Sequence, residues 1–223
     1  MDRNIPKSYL GIVVMLGAVW GLSEAAMGMG LRSCASFLSG SIMTGVALFF
    51  IASSWILIRN VFGIALLVVI ASLFKMFDAF LLSLPIQHGA IGNPIFAFLM
   101  EGVAFLVLIS ILNKKTKQKI GGQVILGGMA ALFAVNLFPL VKFATGVPAC
   151  VFPGTGFPLS LYYAPVAVFL SCVTVPLGLW AGVKIQALEA KFEGVNQGGK
   201  LRYLASPATL ILCLVIIALI RLI

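Results

Sequence analysis

Five ionisable side chains sit where the surrounding sequence is oily: Glu24, Lys75, Asp78, Glu101 and Lys142. The stretch "SLFKMFDAFLLSLP" (72–85) places Lys75 and Asp78 three residues apart, the spacing of an ion pair on one helix face. Glu24 and Glu101 have no opposite charge within reach on their own segments. A charge in hydrocarbon costs several kcal/mol unless paired or hydrated, so such residues face a bundle interior or a water-filled cavity. Two readings stand side by side. Lys75–Asp78 is a self-contained pair, with Lys142 snorkelling outward; or the acidic and basic groups line one pocket for a small zwitterionic or hydrogen-bonding ligand, with Glu24 and Glu101 sharing Lys75 and Lys142.

The elements that position these residues follow from composition. The chain has 223 residues, 61% hydrophobic and 9% charged, with a mean hydropathy of +1.15. Such values exclude an ordinary soluble domain and indicate an all-α, polytopic transmembrane helical bundle. At about 20 residues per span, apolar segments at 9–31, 41–58, 61–84, 94–112, 120–145 and 159–183 give six core spans. A C-terminal seventh follows at 205–223. The first segment resembles a signal peptide, but it runs long, carries Glu24 and lacks a small-x-small cleavage site, so it reads as a retained helix.

Placing the N-terminus in the cytoplasm puts eleven Lys and Arg residues in inner segments, against Arg32 and Arg221 outside. The positive-inside rule therefore sets a cytoplasmic N-terminus and a multi-pass protein of the cell (inner) membrane. It also explains the net charge of +9 without nucleic acid as a partner. Counting 1.5 Å per residue, Asp78, Glu24 and Glu101 all lie roughly 10 Å below the outer boundary. The chain divides into a six-helix bundle with an outward-facing pocket (1–185), a cytoplasmic amphipathic connector (186–204) and a last transmembrane helix (205–223). In the connector Ile185, Leu188, Phe192 and Val195 recur at helical spacing, fitting an interfacial helix or the solvated end of the sixth span.

The outer loops "RSCASFLSG", "PIQHGAIGNP" and "TGVPACVFPGTGFP" are nearly uncharged and rich in Gly and Pro, suited to a lid or to simple turns. His88 and Asn93 extend the candidate ligand set there, with Asn136 and Tyr162 or Tyr163 behind them. Cys34 and Cys150 both fall in outer loops, a candidate disulfide in an oxidising compartment or an accidental pair; a soft-metal contact from His88 with a Cys ranks below both. No spacing implies a resident metal or cofactor, and no Walker motif is present. Gly17, Gly21, Ala25 and Gly28 form a small-residue stripe on the first helix, permitting close helix approach.

The N-in bundle of six spans, the small-residue stripe, the polar groups in the outer half and the loops outside together resemble the substrate-binding S-components of energy-coupling factor (ECF) transporters. The resemblance covers roughly residues 5 to 185 and is architectural. It implies a non-enzymatic subunit for uptake of a vitamin or other small micronutrient, ligand capture from outside, and as partners a transmembrane coupling subunit and two ATPase subunits. It also implies partner docking through the helix-one stripe, where Gly17, Gly21 and Ala25 stand in for the family's Ala-rich pattern. The seventh span departs from the family's six. Three other functions fit the same residues. One is a stand-alone proton-coupled transporter using Glu24, Asp78 and Glu101 as a relay; another is an intramembrane enzyme on a lipid substrate, for which no motif is present; the last is an accessory subunit whose charges lock helices together.

Overall fold

The computed structural model describes residues 7–30, 37–85, 88–113, 119–146, 149–152, 154–193 and 199–222. Eight α-helices account for most of these: α1 (Lys7–Gly30), α2 (Phe37–Ile58), α3 (Val61–Leu81), α4 (Gly89–Ile111), α5 (Ile120–Leu137), the short α6 (Val141–Thr145), α7 (Leu159–Glu193) and α8 (Gly199–Leu222). A single 3-10 turn, Phe138–Leu140, joins α5 to α6. Seven spans are long and apolar enough to cross a membrane, with α5, the turn and α6 forming one of them. The protein is therefore a multi-pass membrane protein of the all-α class.

Backbone satisfaction explains the architecture. Inside hydrocarbon only a helix pairs every N–H and C=O within its own segment, so irregular chain is confined to the ends. The α2–α3 connection is correspondingly tight: Arg59 adopts a positive φ of 51°, and the Asn60 side chain accepts from Phe62 N to cap α3. At the other end the long loop before α7 folds back on itself. Phe152 N donates to Phe157 O, Leu159 N donates to Cys150 O, and Gly154 supplies the positive φ of 79° that the turn requires. Among the described residues the bridge between Val151 and Pro158 is the only β-type pairing.

α2 is the axle of the bundle. It touches α1, α3, α4, α5 and α7, and Ala47, Leu48, Ile51 and Ala52 along it are buried. α7 lies closest to it because Gly178 and Gly182 carry no side chain: a Cβ on Gly178 would stand 2.4 Å from the Phe49 carbonyl oxygen. Ser53 Oγ, 3.0 Å from Gly178 O, donates across the same contact. Among the described residues α8 packs chiefly on α1 and α3, and it is the least buried span. Large apolar side chains elsewhere point outward, Phe80 and Phe143 among them. In water that would be a liability; on a membrane protein it is the lipid-facing surface.

One expected helix start is revised, and two segments left with alternative readings take one of them. α4 begins at Gly89, five residues before Pro94, because the His88 side chain accepts from Ala90 N and caps a turn that precedes the proline. α7 runs unbroken to Glu193 and α8 begins at Gly199. Residues 186–193 are thus the continuing end of the sixth span, as the helical spacing there allowed, and 199–204 are the start of α8, with residues 194–198 outside the described set. The small-residue stripe faces inward: a Cβ on Gly17 would meet Ile70 at 2.9 Å, and one on Gly21 would meet Phe74 at 2.4 Å. Ala25 is buried as well. α3 occupies this face, so docking of a partner there would require α3 to leave.

Candidate functional site

The charged side chains inside the spans converge at the end of the bundle where α1, α3 and α8 finish and α2, α4 and α7 begin. α3 presents Lys75 and Asp78 one turn apart, with Lys75 Nζ 3.4 Å from Asp78 Oδ2. Neither is accommodated by α3 alone. Lys75 Nζ lies over the bare backbone of Gly28, where a Cβ would stand 3.6 Å from it. Asp78 receives a second cation from α8: Arg221 Nε donates to Oδ1, and Nη2 donates to Oδ2 at 2.8 Å. The same Nη2 reaches Ala25 O at 3.2 Å, so Arg221 ties α8 to both α3 and α1. This two-pronged carboxylate grip is the geometry that the planar guanidinium favours.

Glu24, from α1, and Glu101, from α4, occupy the middle of the bundle. Glu24 is 1% exposed and Glu101 3% exposed. Both Glu24 carboxylate oxygens and Glu101 Oε2 have no hydrogen-bond partner among the described residues. Glu24 lies within electrostatic reach of Lys75 and of the Trp20 indole, yet outside hydrogen-bond geometry, since Trp20 Nε1 is also unpartnered. Glu101 feels the charge of Glu24 and in turn faces Tyr163. Counted as ionised, Glu24, Asp78 and Glu101 oppose, among the described residues, only Lys75 and Arg221. One cationic equivalent is missing from a site that excludes bulk water.

A small cavity of about 10 Å³ lies beside Glu101, lined also by Thr44, Ala134, Val135, Phe138 and Tyr163. That is room for about one water molecule. Tyr163 is seated by α2: its ring fills the space over Gly40, and its carbonyl accepts from Ser41 Oγ at 3.0 Å. The expected outward-facing pocket is therefore closed in this conformation. A larger cleft, about 750 Å³, opens at the opposite end between α2, α4, α5 and α7. Eight residues of α4 separate Glu101 from Ile109 on the cleft wall, about 12 Å at the helical rise. Aromatic side chains pack within the bundle: Trp20 lies tilted against Phe98 at 4.7 Å, and Phe105, on the α4 stretch between Glu101 and the cleft, packs edge-on against Trp55 at 6.4 Å.

The remaining sequence-derived candidates separate. Glu24, Lys75, Asp78 and Glu101 are brought together. His88 is exposed and spends Nδ1 on the Ala90 amide, 3.2 Å away, as a helix cap. Asn136 points outward and donates to Leu132 O at 2.7 Å on its own helix. Tyr162 stacks on Phe152 at 4.2 Å in the loop before α7, while its neighbour Tyr163 is the tyrosine at the site. Asn93 is half-buried, its Oδ1 unpartnered among the described residues, eight residues and about 12 Å along α4 from Glu101. Lys142 is exposed, consistent with snorkelling. Cys150 is disulfide-bonded, Cys172 and Cys213 are free thiols, and Cys34 lies outside the described residues. The sequence reading missed Arg221 and Thr44; Arg221 was visible only as a charge two residues before the end of the final apolar run.

No protein family, curated protein or solved structure matches the chain.

Proposed function

We propose that this protein is the substrate-binding membrane component of a transport system, and that Glu24 and Glu101 hold a positively charged group of its solute. The observation that carries the reading is the pair of buried carboxyl groups, contributed by two different helices, three of whose four oxygens lack hydrogen-bond partners among the described residues. A membrane protein gains nothing in stability from unpaired buried carboxyls. A solute ammonium or amidinium placed between them supplies the missing cationic equivalent and the missing donors together. Lys75 and the Arg221–Asp78 pair stand beside that position for an anionic group, so a small zwitterion fits better than a simple amine.

Closure at the charged end and a cleft at the other suit alternating access, in which α8 swings off α1 and α3 to admit solute. The finer reading is an uptake component for a vitamin or comparable micronutrient, resembling an ECF S-component and working with a coupling subunit and two ATPases. The six spans α1 to α7 and the loops at the charged end support it. The seventh helix, with Arg221 over the site, and the small-residue stripe occupied by α3 are the features it must accommodate.

Native mass spectrometry of the protein purified in mild detergent tests the reading. The expected result is a bound solute of a few hundred daltons that is lost in Glu101→Gln; an associated ATPase module identifies the S-component form. Protein that is solute-free from every preparation, with Glu24→Gln and Glu101→Gln altering stability alone, would mean the charges only fasten helices. A second reading, proton-coupled transport without an ATPase, draws on the water-sized cavity joining Glu101 to Thr44 and Tyr163. It predicts solute uptake into liposomes driven by a pH gradient.

A further inference from the structure

The large cleft lies far from the charged cluster, and its chemistry is different. Its walls are Ile56, Ile109, Ile120, Leu126, Leu179 and Val183, with the half-buried Trp55 and the exposed Trp180 among them. At about 750 Å³ it falls in the range typical of ligand clefts, about 300–1,000 Å³. Pro176 on the α7 wall leaves the Cys172 carbonyl without its helical amide partner, a site where a helix bends. The cleft reaches the end of α2 and the start of α5, and there the side chains become cationic. Arg59 lines it directly. Lys184 stands over the Trp180 ring, 5.7 Å from its centroid. Lys119 is the residue before α5, whose Ile120 and Gln123 line the cleft. All three cations are exposed, and among the described residues no acidic one lines the cleft.

We propose that this cleft is a binding site for an anionic phospholipid, with the headgroup phosphate held by Arg59 and Lys184 and an acyl chain lying along Trp55 and Leu126. The charge at the rim selects the headgroup; the apolar walls at membrane depth select the chain. Two of the chain's three tryptophans are in this wall, the residue type that settles at the headgroup level of a bilayer. Basic clefts between spans are where anionic headgroups are recognised by charge. The site is independent of the transport reading, since none of its residues belongs to the charged cluster.

The test uses the whole protein in nanodiscs, with Trp180→Phe so that Trp55 reports from the cleft. Trp20, fully buried in the core, serves as the unquenched background. Dibrominated phosphatidylglycerol and dibrominated phosphatidylcholine are titrated in turn as quenchers. The expected result is saturable quenching by phosphatidylglycerol at low mole fraction and weak quenching by phosphatidylcholine. The Arg59→Gln/Lys184→Gln variant should lose about 25-fold of the anionic preference, from two cations at about fivefold each. Both substitutions are at exposed positions, and an unchanged melting temperature verifies the fold. Equal quenching by the two lipids overturns the proposal. So does an anionic preference that survives the double substitution, or a Trp55 that neither lipid reaches because protein covers it.

Discussion

Arg221→Met removes the only side-chain link between α8 and α3, among the described residues, that is charged on both sides, and the geometry sets the size of the effect. Asp78 loses its two-pronged partner but keeps Lys75 at 3.4 Å. The carboxylate is therefore weakened rather than stranded, and the Ala25 carbonyl loses a donor that α1 does not need for its helix. Breaking a buried ion pair costs about 3–5 kcal/mol when a lone charge remains; with Lys75 still present, about 2 kcal/mol is expected. Asp78→Asn is worse, because Arg221 loses the carboxylate it grips and Lys75 keeps the more distant Glu24 in place of a hydrogen-bonded partner, and about 4 kcal/mol is expected. The double variant should cost less than the two singles together, with a coupling of about 1–2 kcal/mol, near the upper end seen for polar contacts within membranes. Reversible unfolding in mixed detergent micelles, followed by far-UV circular dichroism, measures all four species. Additive costs would refute the reasoning, as would a larger loss from Arg221→Met than from Asp78→Asn; either means that α8 is not held by this pair.

Helix packing and cysteine chemistry give two further expectations. Gly127→Ala should lower stability more than Gly121→Ala, since a Cβ on Gly127 would stand 2.1 Å from the Ser171 carbonyl oxygen while one on Gly121 meets nothing within 4 Å. About 1–3 kcal/mol separates them by overpacking, read by the same unfolding assay. Thiol titration of the denatured, unreduced protein should find the free Cys172 and Cys213 but not Cys150. Peptide mapping without reductant then identifies the partner of Cys150, for which the sequence nominates Cys34.

What the sequence made legible was governed by cost. Charges inside apolar spans are expensive, so Glu24, Lys75, Asp78 and Glu101 stood out, and topology alone put them at one depth on three helices. Arg221 was equally important but lies at the end of the last apolar run, where cations normally flank a span; nothing local distinguishes a flanking arginine from one folded back onto Asp78. His88 and Asn136 misled for the opposite reason. A polar side chain at a helix start or on an outward face satisfies nearby backbone, and residue type does not separate that use from ligand contact. The tyrosine beside Glu101 turned on a single position: the α7 rotation puts Tyr163 over Gly40 and Tyr162 on Phe152. The open cleft had no sequence signal, because it depends on how far α5 and α7 diverge beyond their close contact at Gly127 and Ser171.

The most direct measurement of the central claim is a thermal-shift comparison of the wild-type protein with Glu24→Gln and Glu101→Gln. Each is assayed in detergent against matched panels of zwitterionic, cationic, anionic and neutral metabolites. A solute bearing an ammonium or amidinium group that raises the wild-type melting temperature, and does so in neither variant, is what the account predicts. Stabilisation confined to anionic or neutral solutes, or a cationic solute stabilising all three proteins equally, would contradict it.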